Sequence, residues 1–304
     1  MIVETAPRAR TEPVPYEALG RPIRGPRALT DDWGRFWHLT FNIARTQWKM
    51  RFFGSALGYV WQLVRPLLLF SVLYVFFTVI SHVGQGPTAA PGQPDHFYGA
   101  QLLGSIVLFT CFAEATAGAV RSVLDNELLV RKIQFPRLVI PVSVVLLALF
   151  NLALNLVVVF IFALVAGVRP MLSWLELPLI VGMLAVLSAG FAMLLSALFV
   201  YFRDVQPIWE VLLQVLFYAS PVIVPLTLVE QKLSPALVHI YMLNPLATIL
   251  QQFRHAMINH AAPSAADGLG GMIHLLGPIA IVIGVFVFGF VVFNRTAPHV
   301  AEDL

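Results

Sequence analysis

The chain has 304 residues, of which 59% are hydrophobic and 12% are charged, and its mean hydropathy is +0.82. A soluble domain carries about 25% charged residues, so this composition excludes an ordinary soluble protein and indicates an integral membrane protein. The formal net charge of +3 is small, and the single cysteine, Cys111, excludes an intrachain disulfide and a thiolate metal site.

Residues 1–27 are rich in proline and arginine and predict a flexible tail, because they hold too little apolar surface to fold alone. This polar, basic start argues against a cleavable signal peptide. Residues 28–56 predict an amphipathic helix with an aromatic face and a basic face. The first comprises Phe36, Trp37, Thr40, Phe41, Ala44 and Trp48, the second Arg35, Arg45 and Lys49. This pattern is typical of a helix in the membrane interface, with packing on a soluble partner as the alternative.

Six apolar runs in the region 57–296 are predicted to cross the membrane, because about 20 apolar residues span a bilayer. They cover about 57–80, 97–120, 138–168, 172–200, 207–224 and 272–293. Between the last two, residues 225–271 include an amphipathic helix that is too polar to span. Its apolar positions are Leu243, Leu246, Ile249, Leu250, Phe253 and Met257. We expect an all-α membrane protein with interfacial or re-entrant helices in this region.

The distribution of basic residues predicts the orientation. Sixteen of the 19 lysine and arginine residues precede the core of the first span or follow the second, fourth and sixth spans, against Arg169, Lys232 and Arg254 on the other side. Positive charge is retained in the cytoplasm. Both termini, including residues 297–304, are therefore expected in the cytoplasm, and residues 225–271 face outwards.

The cytoplasmic segment 121–137 lies between two membrane-length runs and is patterned. Asp125 and Asn126 are suited to cap a short helix, on which Leu128, Leu129 and Ile133 would share one face. The segment also carries Glu127, Arg131 and Lys132 and ends at Phe135-Pro136. A short capped helix held between two spans is suited to pass force to a partner, although an ordinary loop has the same spacing.

Motifs for chemistry are absent from the sequence. It contains no GxxxxGK[ST] phosphate loop, HExxH, CxxC, nucleophile elbow or aspartate-rich diphosphate motif. Seven of the histidines lie near loops or interfaces without metal-ligand spacing. We therefore expect no enzyme, no cofactor and no metal site in this chain.

Two polar features lie within the apolar runs. Glu114 is the deepest carboxylate, and it is expected either to line a polar path or pair with Arg121, or to reach water near the end of its span. Asn151 and Asn155 are four residues apart and share a helix face. Such polar pairs bind neighbouring helices more often than substrates.

Aromatic residues on or near the spans suggest a second kind of site. Most such rings pack or lie at the membrane interface. Some are candidates to stack on sugars along a channel: Tyr74, Phe77, Phe109, Phe112, Phe217 and Tyr218.

Three blocks of the sequence, in order, resemble the membrane subunits of ABC-type polysaccharide exporters. They are RTQWKMRFFGSALGYVWQLVRPLLL, NELLVRKIQFPRLVIPVSVVL, and YFRDVQPIWEVLLQVLFYASPVIVP followed by YMLNPLATILQQFRHAM. These blocks cover most of the chain from Arg45 to Met257. The chain departs from the family pattern in its long tail and in the loop 84–95.

The resemblance implies a type-2 permease that exports lipid-linked O-antigen, capsule, teichoic acid or galactan across the cytoplasmic membrane. It implies two copies of this subunit with two copies of a separate ATPase that carries the ATP and Mg²⁺. It makes 124–133 the coupling helix, 28–53 the interface helix and 225–260 an outward re-entrant pair. Asp125, Asn126, Glu127, Leu128, Leu129, Arg131, Lys132 and Phe135 would then contact the ATPase.

Two alternatives remain open at this point. One is an exporter of a drug or small lipid from the same superfamily, which the interfacial aromatics and the FPR block disfavour. The other is a membrane-embedded glycosyl- or prenyltransferase, which would need acidic metal-binding clusters that Asp125 and Glu127 do not supply.

Overall fold

The computed structural model describes residues 33–51, 58, 60–80, 97–126 and 136–296. Both predicted tails, 1–27 and 297–304, lie outside these residues. Within the described ranges the chain is helical and contains no strand, which confirms the all-α prediction.

Twelve α-helices are assigned in the described residues. They are α1 (Trp33–Arg51), α2 (Val60–Val75), α3 (Tyr98–Val120), α4 (Ser122–Asp125), α5 (Val139–Val165), α6 (Leu177–Tyr201), α7 (Val205–Tyr218), α8 (Leu226–Lys232), α9 (Pro235–Met242), α10 (Pro245–Met257), α11 (Ala265–Gly268) and α12 (Leu276–Thr296). A π-helical turn, Phe76–Ile80, extends α2. Two 3₁₀ segments, Leu172–Glu176 and Met272–Leu275, lead into α6 and α12.

The centre of the bundle is α3, which packs against α5 and α6 and, less extensively, against α2, α7 and α10. Almost its whole length is buried, in keeping with an apolar sequence that has no polar face. Helices α6 and α12 cross closely because glycines meet there. A Cβ atom on Gly190 would lie 2.8 Å from the backbone of Phe286, and one on Gly289 would collide with the carbonyl oxygen of Gly190.

The amphipathic α1 lies along the bundle. Phe36, Thr40 and Ala44 form its buried face, and the ring of Phe41 packs against Phe150 of α5 with centroids 5.7 Å apart. The basic side chains of this helix are exposed. The predicted amphipathic helix is thus present, and one of its faces is buried against the membrane-length helices.

Five helical segments are long and apolar enough to cross a membrane: Val60–Ile80, Tyr98–Val120, Val139–Val165, Leu172–Tyr201 and Met272–Thr296. The predicted span at 207–224 is not one membrane-length helix in the structure, because α7 ends at Tyr218 after 14 residues. A helix of this length covers about 21 Å, less than the roughly 30 Å of a hydrocarbon core. Pro221 and Pro225 explain the early end, since proline supplies no N–H and clashes in a helix interior.

The backbone after α7 is irregular and yet buried. Ser220, Val222 and Ile223 are at most 6% exposed. The Tyr98 hydroxyl donates to the carbonyl oxygen of Ile223 at 3.1 Å, and the Arg254 guanidinium donates to that of Val222 at 2.9 Å. Irregular backbone at membrane depth is tolerated where protein surrounds it in this way.

Residues 225–271 form a compact helical layer. The predicted amphipathic helix is confirmed as α10, where Asn244 caps the first turn by accepting from the Leu246 N–H at 3.1 Å. Leu226, Val238, Met242, Ala247, Ala265 and Leu269 form a separate small core.

Candidate functional site

The segment predicted to couple to a partner begins directly below α3. Helix α4 ends at Asp125, and the Asn126 side chain closes it by donating to the Ser122 carbonyl oxygen at 2.7 Å. Arg121 approaches Asp125 at 3.9 Å in an exposed pair, which contributes little to stability. Asp125 and Asn126 therefore stand at the C-terminal end of a short helix. The other predicted coupling residues lie outside the described residues: Glu127, Leu128, Leu129, Arg131, Lys132 and Phe135.

Arg137, on the far side of that segment, is buried to 4% exposure at the start of α5. Burial lowers the pKa of its guanidinium, which still leaves an arginine charged. Its Nε and one terminal nitrogen make no hydrogen bond to any residue that the structure describes. Burying part of a charged guanidinium without hydrogen-bond partners is unfavourable, so Arg137 is a costly feature of this end of the bundle.

Glu114 is the centre of a polar cluster between three helices. Its carboxylate accepts hydrogen bonds from the Gln62 amide of α2 at 3.0 and 3.2 Å and from the Asn151 amide of α5 at 2.9 Å. Arg51, at the end of α1, lies 4.0 Å away. The role of Asn151 in joining helices is as predicted, while the Asn155 amide donates to the Asn151 carbonyl oxygen on its own helix.

A cavity of about 510 Å³ adjoins this cluster. Its walls are mixed in polarity and include Gln47, Arg51, Glu114, Asp125 and Asn126. Glu114 is thus partly buried, and this cavity connects it to the start of the predicted coupling segment.

The six aromatic candidates do not share one environment. Tyr218 is 75% exposed, Tyr74 is 38% exposed, and Phe77 and Phe217 are half-buried. Phe109 and Phe112 are buried in the core. The ring of Phe109 packs edge-on against Phe217 with centroids 5.1 Å apart, and Phe112 packs against Phe191 and Trp209 at 5.7 and 6.3 Å. The structure therefore brings Phe109 and Phe217 together and leaves Tyr74 and Tyr218 on the surface of one copy.

Arg254 of α10 is 2% exposed and was not recognised as a buried site from the sequence. Its Nε donates to the Ser105 hydroxyl of α3 at 3.2 Å, in addition to its bond to Val222. The spacing of the sequence contains a signal for this burial. Arg254 is four residues after Leu250 and three before Met257, so it lies on the apolar face of the helix. Gln62, a lone amide in an apolar span, was missed in the same way.

Titratable groups in residues 225–271 are perturbed by burial and by each other. Burial raises the pKa of Tyr241 to about 12, which the charge of Arg254 partly offsets. Burial, and then the charge of Asp267, raise the pKa of Glu230. The His255 and His260 rings lie tilted against each other, with centroids 4.3 Å apart. No group of three or more metal-ligating side chains lies together among the described residues.

The fold and these contacts define a multi-pass helical membrane protein, and comparison with known proteins identifies its class. A family model described as ABC-2 type transporter matches residues 38–258, and the chain belongs to that family. Chains of this family are permease subunits that work with an ABC ATPase subunit and are not themselves enzymes.

Three individual relatives are named as permeases for O-antigen export. An O-antigen export system permease protein RfbA of Klebsiella pneumoniae is 25% identical over 256 residues, which is 84% of this chain and 92% of that protein. A second RfbA permease of the same organism is 26% identical over the same shares of both chains. One from Myxococcus xanthus is 26% identical over 227 residues, or 75% of this chain and 83% of that protein.

The Glu114 cluster yields a stability prediction. Glu114→Ala removes the carboxylate that accepts hydrogen bonds from the amides of Gln62 and Asn151. This change should lower the free energy of unfolding by about 1–3 kcal/mol. Glu114→Gln retains one acceptor oxygen and should cost less. Thermal unfolding of the purified protein in detergent measures both changes.

Glu210→Ala is the matched control, because Glu210 is exposed and accepts from Gln206 within a single helix. The cluster would have no role in joining the helices if Glu114→Ala and Glu210→Ala unfolded at the same temperature.

Proposed function

We propose that this chain is the transmembrane subunit of an ATP-driven exporter that moves a lipid-linked polysaccharide across the cytoplasmic membrane. The observation that carries the proposal is the family match over residues 38–258, together with relatives named as O-antigen export permeases over most of their length. ATP and Mg²⁺ bind to the separate ATPase, and both termini of this chain lie in the cytoplasm. The distribution of basic residues supports that orientation.

The path for the polymer requires two copies of the chain. Along α3 the interior of one copy is filled by side chains, with Leu102, Ile106, Leu108 and Phe112 at 0% exposure. A flexible, hydroxyl-rich polymer needs a wide path with many weak contacts. We therefore assign the path to the surface between two copies, where the exposed rings of Tyr74 and Tyr218 are available to stack on sugars.

Helix α7 is the best candidate for the contact between copies. Ile208, Val211, Leu212 and Val215 are exposed at helical spacing and form one apolar stripe along it. A helix too short to span alone is well suited to pack against a partner. In this arrangement α7 and residues 219–224 together form the sixth crossing, and residues 225–271 form the outward re-entrant layer.

Coupling to the ATPase is assigned to the segment 121–137. Its described start, α4, continues directly from the central helix α3, and Arg137 is the buried cation at its end. A push on this segment would therefore act on the helix against which most of the bundle packs.

Export itself tests the function. In a strain that lacks this chain, the polymer should be retained in the cytoplasm and absent from the cell surface, and the wild-type chain should restore it. Surface polymer is measured by immunoblot after fractionation. Normal surface polymer in the deletion strain would refute the proposal.

Leu128→Asp with Leu129→Asp should abolish coupling. Two leucines at a docking surface each contribute on the order of 2 kcal/mol, so the pair should weaken ATPase binding by roughly 100-fold or more and stop export. Membrane insertion should be retained, because the segment is outside the bilayer. Co-purification of the ATPase and surface polymer are the measurements.

Leu233→Asp with Leu237→Asp provides the matched control, since these leucines are 39% and 49% exposed in the layer 225–271, outside the span-length helices and on the opposite side of the membrane in the proposed orientation. Equal loss of ATPase binding in both double variants would show that the effect is not specific to the coupling segment.

Cross-linking tests the contact between copies. In a Cys111→Ala background, Val211→Cys and Val215→Cys should form dimers with a short bifunctional maleimide, because both positions lie on the α7 stripe. Val157→Cys, which is also exposed but lies on α5, serves as the control. Dimers at Val157 and none at Val211 or Val215 would place the contact elsewhere.

The aromatic path makes a separate prediction about rate. Tyr218→Ala and Tyr74→Ala should each slow export about threefold to tenfold, since ring contacts contribute about 0.5–1.5 kcal/mol, while protein level and ATPase binding stay unchanged. Tyr218→Phe retains the ring and should export normally. Phe112→Ala is expected instead to lower stability by about 3–5 kcal/mol, because Phe112 is a buried core residue.

A pulse-chase assay of surface polymer measures the rate. If Tyr218→Ala and Tyr74→Ala both export at the wild-type rate, these rings have no part in the path.

A further inference from the structure

A groove of about 470 Å³, which we call the α1 groove, lies between α1, α5, α6 and α12. Its lining includes Trp33 and Trp37 of α1, Val142 of α5, Ala185 and Ala189 of α6, and Phe290 of α12. The described residues expose only apolar atoms into it. It is separate from the Glu114 cavity and from the exposed faces of α2 and α7.

The length of the groove matches half of a bilayer. Its lining runs along α5 from Leu138 to Leu149, which is about 16 Å at 1.5 Å per residue. The hydrocarbon core of a membrane is about 30 Å thick, so the groove extends from one surface to the midplane. Leu138 stands beside the coupling segment, which places the groove in the cytoplasmic leaflet under the orientation proposed above.

The lining and length of the groove suit a hydrocarbon chain. The described residues offer it only apolar contacts, and about 16 Å is the length of an extended chain that runs from the membrane surface to the midplane.

The charge of α1 selects among lipids. Its 19 residues include Arg35, Arg45, Lys49 and Arg51 and no acidic residue. Arg35 is adjacent to Phe36, which packs in one cluster with Leu138 and Val139 at the start of α5, so Arg35 lies near the end of the groove where a headgroup would lie. Basic residues close to a membrane surface attract anionic lipids, by about fivefold each.

We propose that the α1 groove binds one acyl chain of an anionic phospholipid of the cytoplasmic leaflet, with Arg35 beside its headgroup. The proposal rests on the orientation given under the proposed function, and it goes beyond that function. The bound lipid fills the space between α1 and the spans and so fastens α1 to the bundle. The transported lipid carrier is a different ligand, since the path assigned to it lies on α2 and α7.

Photolabelling tests the site in the complex of permease and ATPase reconstituted in lipid nanodiscs. The probes are phosphatidylglycerol, phosphatidylcholine and a polyprenyl phosphate, each with a diazirine midway along one chain. Phosphatidylglycerol should label peptides that contain Val142 to Leu149 and Ala185 to Met193, about fivefold more than phosphatidylcholine does. Equal labelling by these two probes, or stronger labelling by the polyprenyl phosphate, would overturn the proposal.

Two pairs of variants control for position. Ala189→Phe fills the groove and should abolish labelling, while Val157→Phe adds the same ring at an exposed position on α5 outside it and should not. Arg35→Gln should reduce the preference for phosphatidylglycerol about fivefold. Lys49→Gln, 14 residues further along α1 and about 21 Å away, should leave it unchanged.

Elution volume and ATPase co-purification confirm that each variant is folded. Labelling that persists in Ala189→Phe, or a preference that Arg35→Gln and Lys49→Gln change equally, would contradict the site. Labelling and lipid preference are both measured without export. A negative result for the lipid site can therefore be distinguished from a failure of the proposed export function.

Discussion

The chain leaves the helix at Ala219 inside a bundle of apolar helices, and the polar groups of that irregular backbone must find partners within the protein. The Arg254 guanidinium and the Tyr98 hydroxyl meet this requirement at Val222 and Ile223. Arg254 also donates a hydrogen bond to Ser105 of the central helix α3. This one side chain therefore joins α3, α10 and the irregular backbone that follows α7. The layer formed by residues 225–271 is held against the spans through this junction.

The same central helix carries a polar junction nearer its other end. Glu114 holds the amides of Gln62 and Asn151, so α2, α3 and α5 meet at one carboxylate. Helix α2 is otherwise the least enclosed of the span-length segments. The hydrogen bonds to Glu114 fix its position against α3 more specifically than apolar packing would. The predicted coupling segment starts at Arg121, seven residues after Glu114, or about two turns of helix from the cluster. A displacement of the segment would therefore reach the junction through continuous helix.

The relation between α1 and the spans differs from these junctions. Its buried contacts are apolar or small, as at Phe36 and Ala44, and its charges face outwards. Such a helix is positioned by the boundary between hydrocarbon and water as much as by protein contacts. This explains why its apolar side encloses a groove while its basic residues are exposed.

The sequence by itself determined the class of protein, the amphipathic helices at α1 and α10, five of the span-length helices and the family. These follow from hydrophobic length, from period 3.6 and from motif order, which are local properties. It placed Asn151 correctly as a residue that joins helices, because a polar side chain within a span needs a partner.

Only the tertiary structure decided which side chains meet. Phe109, Phe112, Tyr74 and Tyr218 are alike in sequence, yet the first two are buried and the others are exposed, since burial depends on which neighbour covers each face. The partners of Glu114 come from residues 52 and 37 positions away, and Arg254 reaches Ser105 across 149 positions. Contacts at such separations are set by how the helices pack, and no pattern within one helix encodes them.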